Sequence, residues 1–205
     1  MTTGRVLAVS LAAASLFAGA QAFAGESPLM IRVGAHNVDP KSDNGSLAGG
    51  ALDVEVDSQI GLTLNIDYYL TPNLAVDVLG ALPFKHDIKL NGAKAGSTVH
   101  LPPTVSLQYH FMPNGKIDPY VGAGINYTMF WESKLDNGTP LDLDNSWGLA
   151  GQVGVDFALD QARNWVIGVD LRYIDIDTDA SSNGTDLGTV NIDPIVYGAN
   201  LGYRF

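Results

Sequence analysis

The 205-residue chain contains no cysteine. An exported protein without cysteine does not rely on disulfides, and a barrel closed by its own hydrogen bonds needs none. Basic residues are scarce, 11 Lys and Arg against 22 Asp and Glu, for a net charge of -11. No basic patch is available to neutralise phosphates, so nucleic acid is excluded as a partner. Beyond the first 24 residues there is no run of 18 consecutive apolar residues, and hence no candidate transmembrane helix. A mature chain of this kind enters a membrane only as a closed barrel, because only helices and barrels satisfy their backbone in hydrocarbon.

The first 24 residues read as a secretory signal. Arg5 is the only charge before Glu26, and Val6 to Ala20 is an apolar run too short for a comfortable span. Two A-x-A sites follow, Ala20-Gln21-Ala22 and Ala22-Phe23-Ala24. Cleavage is expected after Ala22, with Ala24 as the alternative. That leaves 1–22 as signal peptide and 23–205 as one barrel domain. An uncleaved anchor is the competing reading, and the length of the apolar run argues against it.

What the chain has in abundance is alternation. At its end, Ile195, Tyr197, Ala199, Leu201, Tyr203 and Phe205 interleave with Val196, Gly198, Asn200, Gly202 and Arg204. A period of two means a β-strand, with successive side chains on opposite faces. Seven earlier stretches repeat the pattern: Leu29–Val38, Gln59–Leu70, Leu74–Phe84, Pro102–Phe111, Tyr120–Trp131, Trp147–Phe157 and Trp165–Tyr173. The connections alternate long and short, starting with the polar stretch Asp39–Asp57 and ending with the acidic stretch Asp175–Asn191. In an up-and-down barrel this gathers the long loops at one end and the turns at the other. All five Asn-Gly pairs (44–45, 91–92, 114–115, 137–138, 183–184) fall between strands, where a positive φ is expected. A strand of about 11 residues at roughly 3.3 Å each, tilted near 40°, covers an apolar band of about 25 Å.

Charged residues fall on the face opposite the apolar rows: Arg32, Asp67, Asp77, Asp156, Asp170, Arg172 and Arg204. Alternation alone fits a soluble lipocalin-like barrel equally well, with the apolar rows inside. Aromatic rings separate the two readings. Phe111, Phe157, Trp165, Tyr203 and Phe205 sit at the turn ends of the apolar face, and Trp131, Trp147 and Tyr173 sit near the long-loop ends. Two girdles at two interfaces mark a membrane barrel. The fold class expected is all-β, an eight-stranded antiparallel up-and-down transmembrane β-barrel.

Several longer segments carry a family resemblance: Pro83-Phe84-Lys85-His86, H-L-P-P-T-V-S-L-Q-Y-H-F at 100–111, and P-Y-V-G-A-G-I-N-Y-T at 119–128. S-W-G-L-A-G-Q-V-G-V-D at 146–156, Y-I-D-I-D-T at 173–178, Asp193-Pro194 and the closing G-Y-R-F continue it. The chain resembles the OmpW family of outer-membrane barrels, which includes OprG and AlkL types, over nearly all of its mature length. The resemblance implies an outer-membrane location among lipid and lipopolysaccharide, and uptake of small, mainly hydrophobic molecules. It also implies that Phe205 belongs to a terminal signal read by the barrel-insertion machinery. The chain departs from the family in its loops and has Ile195 where relatives often carry an aromatic, which leaves the substrate's identity open.

An eight-stranded barrel has an interior only wide enough for side chains. Arg32, Asp67, Asp77, Asp156 and Arg204 are expected to form an ion-paired lumen plug, since opposite charges in a narrow low-dielectric space must pair. Nearer the long loops, Leu79, Ala81, Pro83, Phe130, Ala150, Ile174 and Val196 fall on the inward phase and outline an apolar pocket for a greasy ligand. Blocked below, such a ligand must leave sideways. Pro83 and Pro102-Pro103 lie at similar heights on neighbouring strands and supply no ladder N–H, so a lateral opening is expected there. The bland alternative is that these prolines merely end two strands.

No catalytic set is expected. Ser106 and His110 share a face roughly 13 Å apart, and His36, His86 and His100 have no evident triad partner. Asp175, Asp177, Asp179 and Asp186 match positions 1, 3, 5 and 12 of a calcium loop, but Ala180 stands where the sharp turn wants glycine; a solvated acidic loop is the better reading. No cofactor or metal is expected. A structural or receptor barrel without transport remains the alternative function, and self-association is left open.

Overall fold

The computed structural model describes residues 27–205, and the expected signal segment lies outside them. Fifteen strands follow one another among these residues. They are β1 (Leu29–Asp39), β2 (Ser46–Leu47), β3 (Leu52–Val56), β4 (Gln59–Thr71), β5 (Leu74–Ala81), β6 (Phe84–Leu90), β7 (Ala93–Leu101) and β8 (Thr104–His110). After them come β9 (Ile117–Leu135), β10 (Asp142–Leu143), β11 (Ser146–Ala158), β12 (Trp165–Ile174), β13 (Asp177–Ser182), β14 (Thr185–Asn191) and β15 (Ile195–Arg204). Eight of them, β1, β4, β5, β8, β9, β11, β12 and β15, pair antiparallel in that order and close on themselves. The closing seam runs from Met30 opposite Arg204 to Asp39 opposite Ile195. It ends where Ser27 N–H donates to the Phe205 carbonyl (3.0 Å) and Phe205 N–H to that of Leu29 (3.1 Å).

The outward faces are apolar around the whole ring: Val33, Leu64, Leu107, Ile125, Val153, Val169 and Leu201 are all exposed. Phe111, Phe157, Trp165 and Phe205 ring the turn end, and Trp131, Trp147, Tyr173 and Tyr197 ring the other. Charged residues line the inside, with Arg32, Asp67, Asp77 and Arg172 all buried. The soluble alternative, with apolar rows inside, is thereby excluded.

Above the second girdle, three of the four long connections are more ordered than the sequence reading expected. The stretch Asp39–Asp57 holds β2 and β3, the chain around Asn91-Gly92 is the hairpin β6–β7, and the acidic stretch is the hairpin β13–β14. β9 runs on to Leu135, and β7, β6, β3 and β2 continue the sheet from it. β2 and β3 are too short to register from pattern alone, and β6, β7, β13 and β14 are too rich in polar residues. Their turns were legible: Asn91 and Gly92 have φ of 52° and 77°, and Asn183 and Gly184 of 49° and 77°. Both φ values are positive, as the two-residue type I′ hairpin demands. Asn114-Gly115 departs from that expectation: Gly115 N–H donates to the Met112 carbonyl (2.8 Å), and neither residue has a positive φ.

The expected stretch Leu74–Phe84 is in fact split. β5 ends at Ala81, Phe84 opens β6, and the facing strand β8 begins at Thr104 rather than Pro102. Because lipid touches the outer wall, Val153→Arg, near the middle of β11, is expected to destabilise the folded barrel by about 2–4 kcal/mol. Urea unfolding in phospholipid vesicles, followed by the shift in gel migration between unheated and heated samples, checks this.

Candidate functional site

The lumen has three levels. At the turn end, Met30, Tyr69, Ala75 and Val166 form an apolar floor. Arg204 lies over the Tyr69 ring, 3.8 Å from its centroid. It therefore caps the floor through a cation–π contact, and among the described residues it forms no ion pair with the plug.

Above the floor stands the plug. Arg32 donates from Nε to Asp67, and from Nη1 and Nη2 to the two oxygens of Asp156 (2.5 and 2.8 Å). Asp67 lies directly across from Asp77 in the β4–β5 ladder. Asp77 accepts from Asn65 (2.7 Å) and from Arg172 Nη1 (2.9 Å). Arg172 Nε in turn donates to Asp170 (2.8 Å), and the other Asp170 oxygen meets His36 Nε2 (3.0 Å) and the Asn200 amide (3.2 Å). Every residue of this chain is buried. Removing one member leaves uncompensated charge, so the network is rigid. Asp170, Arg172 and His36 extend the plug beyond the members expected from sequence: Arg172 reaches Asp77 on β5, His36 reaches Thr63 on β4, and Asp170 joins the two.

His36 has the partners that sequence reading did not find: Thr63 Oγ1 at 2.7 Å from Nδ1 and Asp170 from Nε2. This hydroxyl–imidazole–carboxylate line is sealed inside the plug, and Arg172 holds the far oxygen of Asp170.

The third level is an apolar cap. Val38, Phe84, Ala150, Ile174, Ile176 and Val196 are buried together, with Leu47, Val54, Ile88, Val190 and Ile192 from the upper strands above them. Ala81 and Phe130 pack against this cluster half-buried. Of the residues assigned to an apolar lumen, Leu79 stands apart. It is buried beside Asn65 and Thr104, at the polar level. Gly61 makes room for the cap, since a Cβ there would collide with the Phe84 ring. An apolar cleft of about 30 Å³, bordered by Leu47, Val54, Ile88, Leu141 and Ile192, opens within the cap. That holds little more than a water, so a larger guest requires these side chains to move apart.

The wall beside the cap is interrupted. The β5–β8 ladder runs from Leu74–Tyr109 to Leu79–Thr104 and resumes only at Phe84–His100 in β6–β7. Pro83, Pro102 and Pro103 stand in the break. Leu82 is 61 % exposed and Pro83 is also exposed, while Phe84 turns inward. The alternation thus slips by one residue, which places Pro83 outside the lumen and not on the inward phase. On the far side, Pro103's carbonyl accepts from Tyr127 N–H (3.0 Å), so β8 stays tied to β9.

Just above the break, Phe84, His86, His100 and Phe130 form a row of rings, with His86 and His100 centroids 4.6 Å apart. His86 Nδ1 donates to the Asp57 carbonyl (2.6 Å), and burial lowers the ring's pKa.

Outside the barrel wall, the calcium-loop spacing is not realised, because Asp179 and Asp186 lie on separate strands of the β13–β14 hairpin. The carboxylates that converge instead are Asp175, Asp177 and Asp193, within 4.8 Å of one another. Lys41 pairs with Asp193 (2.7 Å) and the Asn191 amide donates to Asp177, so protein donors already meet the group. Desolvation, together with the like charges of Asp177 and Asp193, pushes the Asp175 pKa up.

A closed ring of eight strands, greasy outside and ion-paired inside, defines an outer-membrane β-barrel. The OmpW family model matches residues 25–205, and the chain belongs to that family. It is 38 % identical to outer membrane protein W of Escherichia coli, over 98 % of this chain and 99 % of that protein. The crystal structure of OprG from Pseudomonas aeruginosa superposes with a TM-score of 0.77 at 34 % identity, covering 88 % of this chain and 97 % of that one. A third relative is the dibenzothiophene metabolism operon protein PahQ of Pseudomonas aeruginosa, 30 % identical over 89 % of this chain and 91 % of that protein. The barrel therefore sits in the bacterial outer membrane, surrounded by its lipid.

Arg32→Ala is expected to cost about 3–5 kcal/mol, since Asp67 and Asp156 remain buried without their guanidinium. Combining Arg32→Met with Asp67→Asn and Asp156→Asn should recover most of that loss. Urea unfolding of the two variants in vesicles measures the difference.

Proposed function

We propose that this barrel passively takes up small hydrophobic molecules, which reach the apolar cap from outside and leave sideways into the outer membrane between β5–β6 and β7–β8. The observation that carries this reading is the broken ladder. Between Gly80–Pro83 on one side and Leu101–Pro103 on the other no ladder pair is formed, although Gly80 and Ala81 remain paired with β4 and Leu101 with β9. The break lies where the apolar cap meets the ionic plug, so a guest that cannot descend finds a weak point beside it. Leu62 and Leu82 are exposed on the outer wall there, giving an apolar exit to lipid. The relative named for a dibenzothiophene operon supports an apolar, ring-containing cargo.

The rest of the reading concerns export and assembly. Cleavage after Ala22, or after Ala24, releases the barrel domain. Phe205, exposed at the closing seam, serves as the signal for the insertion machinery, and the girdle at the long-loop end faces lipopolysaccharide.

Pro83→Val, Pro102→Val and Pro103→Thr together supply N–H groups for the missing ladder. Two restored bonds at about 1 kcal/mol each lower the open population roughly 30-fold. Uptake of a poorly soluble hydrocarbon, measured as growth at equal amounts of folded barrel, should fall accordingly. Unchanged uptake overturns the lateral route. Growth that is also unaffected by deleting the gene favours a structural or receptor barrel.

A further inference from the structure

Most polar side chains in the lumen are satisfied by one another. Among the exceptions, the Nε2 atoms of His86 and His100 are buried without a hydrogen-bond partner. The other unpartnered atoms near the centre, on Asn65, Asp67 and Gln152, lie within the polar plug. The two imidazole nitrogens instead lie among rings, where Phe84 stands edge-on to His100 at 5.9 Å and Phe130 is 5.7 Å from it. A buried polar atom left unpaired costs about 1–3 kcal/mol, a cost that a phenylalanine at position 100 would not carry.

The chemistry at one nitrogen is fixed. A carbonyl only accepts, so His86 Nδ1 carries the proton in its bond to Asp57. The neutral ring then presents a bare lone pair at Nε2. Beside it, a second imidazole nitrogen can carry a proton and donate. An acceptor and a donor side by side match a hydroxyl group, which both gives and takes a hydrogen bond.

The position is equally informative. Phe84 and His100 form the first pair above the break, and Thr98, opposite His86, borders the apolar cleft of the cap. The row of rings is the lintel over the gap, between the cleft above and the exit below.

We propose that His86 and His100 form a polar binding point for the hydroxyl of an otherwise apolar alcohol or phenol, so that the barrel favours hydroxylated over plain hydrocarbons. His86 Nε2 accepts from the ligand O–H, His100 Nε2 donates to its oxygen, and Phe84 and Phe130 hold its apolar body. This rests on the uptake reading above and adds a substrate class to it.

The test uses 2-naphthol and naphthalene, which differ by one hydroxyl. Uptake of each is measured in cells producing the native barrel, the His86→Phe/His100→Phe variant, or neither, at matched amounts of heat-modifiable protein. In the native barrel, barrel-dependent uptake of 2-naphthol should exceed that of naphthalene roughly fivefold, the worth of one net hydrogen bond. The double variant should keep naphthalene uptake and lose the preference. If both barrels show the same preference, or the native one shows none while still taking up naphthalene, this proposal is overturned and the uptake reading stands. If neither compound needs the barrel, the uptake reading fails and the proposal falls with it. The imidazole ¹⁵N shifts of the native barrel in nanodiscs give a readout independent of the variant's folding. The Nε2 signals should move with 2-naphthol and stay put with naphthalene; no movement with 2-naphthol overturns the proposal.

Discussion

Hydrocarbon offers the backbone no hydrogen-bond partner, and that constraint organises this molecule. Each N–H and C=O at membrane depth must find a neighbour within the protein, so the strands have to close. The seam between β1 and β15, carried down to the bonds at Phe205, is the last pairing required. Once the ring is shut, the side chains have no choice of medium. One phase of every strand faces lipid and must be apolar; the other faces a space too narrow for bulk water. Against that background an unpaired stretch of wall is conspicuous. Three prolines have removed N–H donors at one height on two facing strands, while β8 remains bonded to β9.

Inside, charge and grease are sorted by height. Arg32, Asp67 and Asp156 meet near the turn end, and Arg172 ties Asp77 to Asp170 a level higher. In so small a lumen, charges of both signs could have been scattered along its length. Gathering them leaves the upper lumen free of ionised groups, so Phe84, Ile174, Ile176 and Val196 can pack as an ordinary core. That core belongs as much to the upper strands as to the barrel, since Leu47, Val54, Val190 and Ile192 complete it. The external strands are thus a lid packed onto the barrel's mouth.

The strands were legible because a sustained period of two reads as a strand, and the two aromatic girdles turned their apolar face toward lipid. The side of each charge followed from phase alone. Height did not. Leu79 and Val196 share the inward phase, yet one sits beside Asn65 and the other under the cap, a difference set by the stagger between strands. Arg172 and Asp77 are 95 residues apart, and only the closed ring brings them across the lumen. Phase places Pro83 inward; the slip before Phe84 turns it out, because a one-residue slip exchanges the faces. Among the upper strands, β2 and β10 have only two residues each and β3 five, too few for periodicity to show, while β6, β7, β13 and β14 are as long as β8 or nearly so but rich in polar residues.

Consider the alternatives for an apolar solute held in the cap. Descending means parting buried ion pairs, each worth several kcal/mol because the separated charges have no solvent to turn to. Returning to water means re-exposing apolar surface, at about 0.8 kcal/mol per methylene. Moving sideways breaks no ladder bond between Gly80 and Pro83 and asks only that Leu82 and its neighbours shift. It also ends in a medium as apolar as the cap itself. The sideways step is the one exit whose barrier does not grow with the hydrophobicity of the cargo. On the uptake reading proposed above, a plug that is harder to open would make the lateral route more selective for greasy molecules, and the ion pairs and the prolines would act as two halves of one device.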